Sequence, residues 1–301
     1  LEFNQLRSFA LLAKSPETGI FFIRCAFVFE SGYLTPLAEA MPAISDIFFR
    51  ILHFGRHQLC AKDLHSLHSP FVFEFYREVI RFPYNFSLYE VLEEERNLLM
   101  NDDSIIRFEE AGAGGRGGDR KISSIASSSL MPFDKAAFLL RLCHWLKPEF
   151  TIELGTSLGL TSAYLSAASG EVVTFEASSQ LCHKAEALWK KRNLHNIRLI
   201  MGKIEETLPV FLSQQRGLWN LAVMDANHQF AAAVQQFQLL KATRSENACM
   251  VLDDIYWSVG MTRAWNEIRQ DPEVAVSIDF FHLGLVFFRP DFPKQHFTLR
   301  W

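Results

Sequence analysis

The chain has 301 residues, a formal net charge of -4 and 49% hydrophobic residues, enough apolar material for one large α/β domain or two small ones. So balanced a charge, without a long basic run, argues against a nucleic-acid partner. No uninterrupted apolar stretch reaches the length of a membrane span, since the nearest, 19–29, is short and broken by Arg24. Five cysteines (Cys25, Cys60, Cys143, Cys182 and Cys249) lie scattered without C-x-x-C spacing, which fits reduced thiols in a cytoplasmic protein.

Residues 1–62 read as an N-terminal extension of uncertain order, and 63–301 as one domain with a helical N-terminal part over 63–148. Ser69 and Pro70 suit the cap and first position of a helix. His65 and His68 precede them without a third ligand nearby, so they read as surface or packing residues. Five of the fifteen glycines fall between Gly112 and Gly118, with Arg116, Arg120 and Lys121 close by. Such a segment is either a solvated linker or a lid over a bound substrate; no Gly-Lys-Ser/Thr follows, so it is not a phosphate loop of the Walker type. Asp134 can cap a helix with Phe138, Leu139, Leu142, Trp145 and Leu146 on one face, ending before Pro148.

From 149 the chain alternates strand and helix. Strands are predicted at 151–154, 172–175, 197–201, 221–224 and 250–252, with helices near 158–168, 180–192, 204–214 and 229–242. Strands buried on both faces, each followed by a helix, imply a parallel sheet. After a helix near 260–269, strands at 274–280 and 283–288 are joined so closely that they must pair antiparallel. The predicted fold class is α/β: a Rossmann-like, doubly wound, mostly parallel seven-stranded sheet with a C-terminal antiparallel hairpin.

The run Thr-Ile-Glu-Leu-Gly-Thr-Ser-Leu-Gly-Leu-Thr from Thr151 carries the functional signal. It reads as a strand, a glycine turn and a helix start, the arrangement that makes a nucleotide site at the carboxyl edge of a sheet. Gly155 and Gly159 lack a Cβ and allow a close backbone approach. Ser157 interrupts the G-x-G-x-x-G pattern of dinucleotide sites. Glu153 would repel a pyrophosphate and suits a cationic ligand, while Glu176, twenty-one positions after Gly155, can accept both hydroxyls of a ribose. A ligand with a ribose and a cationic tail but no phosphate is S-adenosylmethionine.

These residues resemble class I S-adenosylmethionine-dependent methyltransferases, and within them the catechol and caffeoyl-CoA O-methyltransferase branch. The resemblance implies that Glu153, Gly155, Thr156, Ser157, Gly159, Glu176 and Asp225 surround the cofactor. It implies a metal site of Asp225, Asp253 and Asp254 for Mg²⁺ or another divalent cation, although Asp254 stands where the family has Asn. Capping of the next turn, or lining of the cofactor pocket without a metal, is the alternative role for Asp253 and Asp254. His228 stands where the family commonly has a Lys, and with an unperturbed pKa near 6.5 it can take the acceptor's proton; Asp225 and His228 are therefore the catalytic candidates. Asn227 is a candidate contact to cofactor or substrate, and Tyr256 and Trp257 either wall an aromatic pocket or pack ordinarily. Phe280, Phe281, Phe287 and Phe288 read as core.

The expected activity is O-methylation of a small, phenolic acceptor, with no nucleic-acid or membrane partner and a homodimer implied by the family alone. An NAD-dependent oxidoreductase is the alternative, disfavoured by the interrupted glycine pattern and the terminal hairpin. A non-catalytic cofactor-binding protein of the same fold is the other.

Overall fold

The computed structural model describes residues 9–14, 21–26, 35–63, 67–81, 87–108, 118–215 and 217–300. They belong to two compact units, Leu1–Ile47 and Phe48–Trp301. The first contains an antiparallel pair, β1 (Phe9–Lys14) and β2 (Phe21–Ala26), and the start of helix α1 (Thr35–Cys60). The division falls inside the 1–62 segment read as an extension, so α1 from Phe48 onward belongs to the second unit. His65 and residues 109–117 of the glycine-rich segment lie outside the described residues.

The second unit continues with α2 (Pro70–Phe75), which runs on as a π-helical turn, Tyr76–Arg81. Pro70 takes the first helical position as predicted, but the Ser69 side chain makes no capping bond. Then come α3 (Ser87–Met100), the antiparallel strands β3 (Ile105–Phe108) and β4 (Gly118–Lys121), α4 (Ile122–Ser129) and α5 (Phe133–Leu146). Asp134 lies in the first turn of α5 and Pro132 takes the cap. Lys147, left-handed at φ 48°, ends the helix one residue before Pro148.

The main sheet follows: β5 (Phe150–Leu154), α6 (Leu160–Ser166), β6 (Glu171–Glu176), α7 (Ser179–Lys191), β7 (Ile197–Met201), α8 (Ile204–Gln214), β8 (Trp219–Met224), α9 (Phe230–Lys241), β9 (Arg244–Asp253), α10 (Val259–Gln270), β10 (Val276–Asp279), β11 (Leu283–Phe287) and β12 (Gln295–Thr298). The spatial order is β12-β10-β11-β9-β8-β5-β6-β7. β5 through β9 pair in parallel, and β11 runs antiparallel between β9 and β10. The sheet has eight strands where seven were predicted. The extra one, β12, runs parallel to β10 at the edge, and its partly exposed Gln-His-Phe-Thr shows no apolar alternation.

β5 has neighbours on both sides that return from opposite directions of the chain, which makes the gap between the ends of β5 and β8 the switch point of the sheet. Strand periodicity then sorts the side chains of β5. Ile152 and Leu154 enter the apolar layer with Trp219, Met250 and Phe237, each contributing about 1.5–3 kcal/mol by burial. Thr151 and Glu153 go to the opposite face, and both are fully buried. A buried carboxylate is costly unless it is hydrogen-bonded, so Glu153 needs partners. Among the described residues no helix is long and apolar enough to cross a membrane.

Candidate active site

One cavity of about 990 Å³ opens at the switch point. The turn after β5 supplies one wall through Gly155, Thr156 and Ser157, with Glu176 from the end of β6 beside them. Asp225 and His228 follow β8, and Asp253 and Asp254 stand at the end of β9. Lys135, from the first turn of α5, and Phe280, Phe281 and His282, between β10 and β11, line the cavity next to these acids, and the Asp254 N–H donates to the His282 carbonyl at 2.8 Å.

The backbone of the glycine turn is tightly determined. The N–H groups of Gly155 and Thr156 both donate to the Phe175 carbonyl, at 3.2 and 3.1 Å. Gly155 has φ +102°, and a Cβ there would lie 2.3 Å from the Asp225 carbonyl oxygen. The missing side chain therefore lets β5 and β8 close at the switch point. Gly159 serves helix packing instead. Its Cβ would lie 2.6 Å from that of Ala185, and its carbonyl accepts the indole N–H of Trp189 at 2.8 Å. It seats α6 on α7 and is not on the cavity wall.

Glu176 is held with its carboxylate at the rim. One oxygen accepts the Ser157 N–H and the other the Ser178 N–H, both at 2.9 Å. Burial raises its pKa above the usual carboxylate range, and these amide bonds pull it partly back. Each oxygen keeps a second lone pair for a ligand hydroxyl. Glu153, by contrast, lies beneath the turn. Ser162 of α6 and Thr174 of β6, the latter at 2.6 Å, donate to its Oε2. Its Oε1 has no partner among the described residues, and burial pushes its pKa up to about 7. It is not on the cavity wall, so its contribution from there is to the field and the packing beneath the turn.

On the other side, His228 Nε2 lies 3.8 Å from Asp225 Oδ1. Burial raises the Asp225 pKa well above the carboxylate range, and the negative charge of Asp253 adds to it. Asn227 faces away from the cavity and donates to Glu205 at 3.0 Å. Tyr256 and Trp257 are not cavity walls either. Tyr256 donates to Asp279 at 2.7 Å and stacks on Phe281 with centroids 5.1 Å apart, while exposed Trp257 receives the guanidinium of Arg50. Phe280 and Phe281, expected as plain core, are buried but face the cavity. His57, also on the cavity lining, brings its Nε2 to 3.3 Å from Asp279 Oδ1. Burial raises Asp279, but hydrogen bonds from His57, Tyr256 and the Phe281 N–H outweigh it and hold the carboxyl below its usual range.

Strain gathers at this cavity. Ser157, Asn227, Asp254 and Phe281 all have positive φ, between 48° and 71°. Each such residue costs on the order of 1–3 kcal/mol, and such costs collect at sites where side-chain direction matters.

The expected metal set does not form. Lys135 Nζ donates to Asp253 Oδ1 at 2.5 Å and to Asp254 Oδ1 at 3.1 Å, so an ammonium already engages one oxygen of each strand-end carboxylate and takes the place between them. Burial opposes the charge of Lys135, but the two carboxylates outweigh it and raise its pKa. Among the described residues no group of three or more His, Cys, Asp or Glu is arranged to hold a metal ion. Sequence reasoning did not single out Lys135, although it left a signal. A lysine in the first turn of a helix opposes the helix dipole, so an acid must lie nearby to offset it. The serines of α4 went unnoticed as well; Ser129 Oγ meets Ser157 Oγ at 2.8 Å.

The sheet order, the terminal antiparallel strand and the cavity at the switch point define a Rossmann-like methyltransferase fold of class I. Residues 152–255 match the family model described as a methyltransferase domain. No curated protein matches it by sequence. Among solved structures, an O-methyltransferase from Bacillus cereus in complex with SAH is 15% identical, with 72% of this chain and 96% of that one covered and a TM-score of 0.50. Cofactor-bound Rv0187 from MTB is 14% identical, covering 74% and 99%, with a TM-score of 0.51. At such identities the likeness is one of fold.

Proposed function

We propose that the chain transfers a methyl group to an oxygen of a small phenolic acceptor. The observation that carries this reading is the convergence of His228, Asp225, the strand-end acids and the aromatic Phe280 and Phe281 on the lining of one cavity. The volume lies at the top of the roughly 300–1,000 Å³ range of ordinary ligand pockets, which leaves space for an acceptor beside the cofactor.

S-adenosylmethionine supplies the methyl group as a sulfonium. Glu176 accepts the ribose hydroxyls, and the Gly155–Ser157 backbone borders the amino-acid part. Asp225 would stand between that end and the acceptor, next to His228. Phe280 and Phe281 hold an aromatic acceptor flat and exclude water. His228 takes the acceptor's hydroxyl proton as the oxygen–carbon bond forms and the carbon–sulfur bond breaks. The Asp225 carboxyl stands beside it, 3.8 Å from Nε2. No step passes through a divalent ion, because the strand-end carboxylates are committed to Lys135.

The deciding experiment is transfer of labelled methyl from S-adenosylmethionine to a panel of phenols, aliphatic alcohols, carboxylic acids and amines. Product carrying O–CH₃ on the phenols is expected. Transfer confined to amines would overturn the oxygen assignment, and hydride exchange with NAD in the absence of any methyl transfer would favour the oxidoreductase alternative.

A further inference from the structure

We propose that Lys135 is a built-in cation standing where a divalent ion would sit, and that it presents a single hydrogen-bond donor to the acceptor oxygen, so that catalysis needs no metal and no chelating acceptor. This rests on the methyltransferase reading above and extends it to cation use and acceptor class.

The geometry is that of a clamp. The Lys135 side chain is only 12% exposed and Asp253 only 7%. Its ammonium touches both neighbouring carboxylates, which arrive from a part of the chain more than a hundred residues away. The helix that carries it is anchored by Phe138, Leu139 and Leu142, all fully buried. Lys135 therefore cannot swing out without leaving two carboxylates uncompensated at the bottom of the cavity. Mg²⁺ requires oxygen ligands at about 2.0–2.1 Å in near-octahedral geometry. Oxygens aimed at an ammonium are not free for that, and a divalent ion bonded to both would meet the positive charge of Lys135 at close range.

The chemical consequence concerns the acceptor. A metal ion can grip two oxygens of a vicinal diol together. An ammonium has three donors, and Lys135 spends two on Asp253 and Asp254. One N–H remains on the cavity side, sufficient for one oxygen. A monohydroxylated acceptor then meets the same site as a vicinal diol. Asp254 fits the same logic: it stands where the resembling metal-dependent family has a neutral Asn, and the extra negative charge meets the extra positive one.

The experiment is titration of the purified protein with Mn²⁺ and Mg²⁺ alone, followed by calorimetry and by Mn²⁺ spin resonance, in wild type, Asp253→Asn and Lys135→Met. Wild type is expected to bind neither ion in the cavity, while Lys135→Met gains Mn²⁺ affinity by at least about tenfold, a gain abolished by adding Asp253→Asn. Should Lys135→Met fail to fold, Lys135→Met/Asp254→Asn removes one uncompensated charge and serves in its place. Wild type that binds Mn²⁺ through Asp253, or a folded lysine variant that gains nothing, overturns the proposal. Calorimetry with S-adenosylhomocysteine on the same samples keeps the outcomes separate: loss of that binding rejects the methyltransferase reading, whereas the cation titration reads Lys135 alone.

Discussion

The two sides of the cavity are built differently. The side proposed to hold the donor is one short piece of chain, Gly155–Ser157, with Glu176 from the end of β6 beside it, fixed by backbone hydrogen bonds. The acceptor side is assembled from Lys135, Asp225, His228, Asp253, Asp254 and Phe281, which come from separate elements and are fixed by side-chain charge and packing. Positioning by backbone ties the donor side to the sheet itself. Positioning by side chains lets that side vary, and in the proposed reading specificity for the acceptor would reside there.

Substitutions should separate the two sides. The largest effect is expected for His228→Ala, which should lower kcat by about 10²–10⁴-fold while cofactor affinity stays nearly constant. A parallel loss of both in turnover and binding assays would place His228 on the donor side. Gly155→Ala should act on the fold: a Cβ 2.3 Å from the Asp225 carbonyl, at φ +102°, is expected to cost about 3 kcal/mol in chemical denaturation. An unchanged midpoint would mean that β5 and β8 are not closed against each other as described.

Glu153 gives a pH signature of slightly smaller size. Its folded pKa of about 7 lies above the unfolded carboxylate value. The folded state therefore binds the extra proton, and stability falls as pH rises from the unfolded pKa through 7. Between pH 5 and pH 7.5 this should remove about 2–3 kcal/mol from wild type. Glu153→Gln should flatten that slope, as read by urea denaturation at the two pH values; an equal slope in both proteins would show that Glu153 is ionised throughout.

The same contrast explains what could be read from residues alone. The meeting of the glycine turn with Glu176 was legible because a strand, a turn and an acid at fixed spacing lie within about one βαβ unit. The strand–helix rhythm was legible too, with β7 matching its predicted limits, because buried parallel strands are continuous apolar runs. Glu153 reads as a contact for a cationic cofactor, but the strand's two-residue period sends it under α6, toward Ser162 and Thr174. Gly159 looked like a ligand contact because a glycine needed for helix packing and one needed for a cofactor are the same letter. Lys135 could not be joined to Asp253 without knowing where α5 starts relative to the end of β9. The edge strand β12 was invisible because nothing in Gln-His-Phe-Thr requires pairing until β10 offers it.

The most direct test of the central claim is calorimetric titration of the wild-type protein and Glu176→Ala with S-adenosylmethionine, S-adenosylhomocysteine and NAD. Both adenosyl compounds should bind wild type with one site, and Glu176→Ala should weaken them by about tenfold to a hundredfold, the equivalent of the ~1.5–3 kcal/mol of a charge-assisted hydrogen bond. Binding of NAD without either adenosyl compound, or adenosyl binding indifferent to Glu176, would contradict the account.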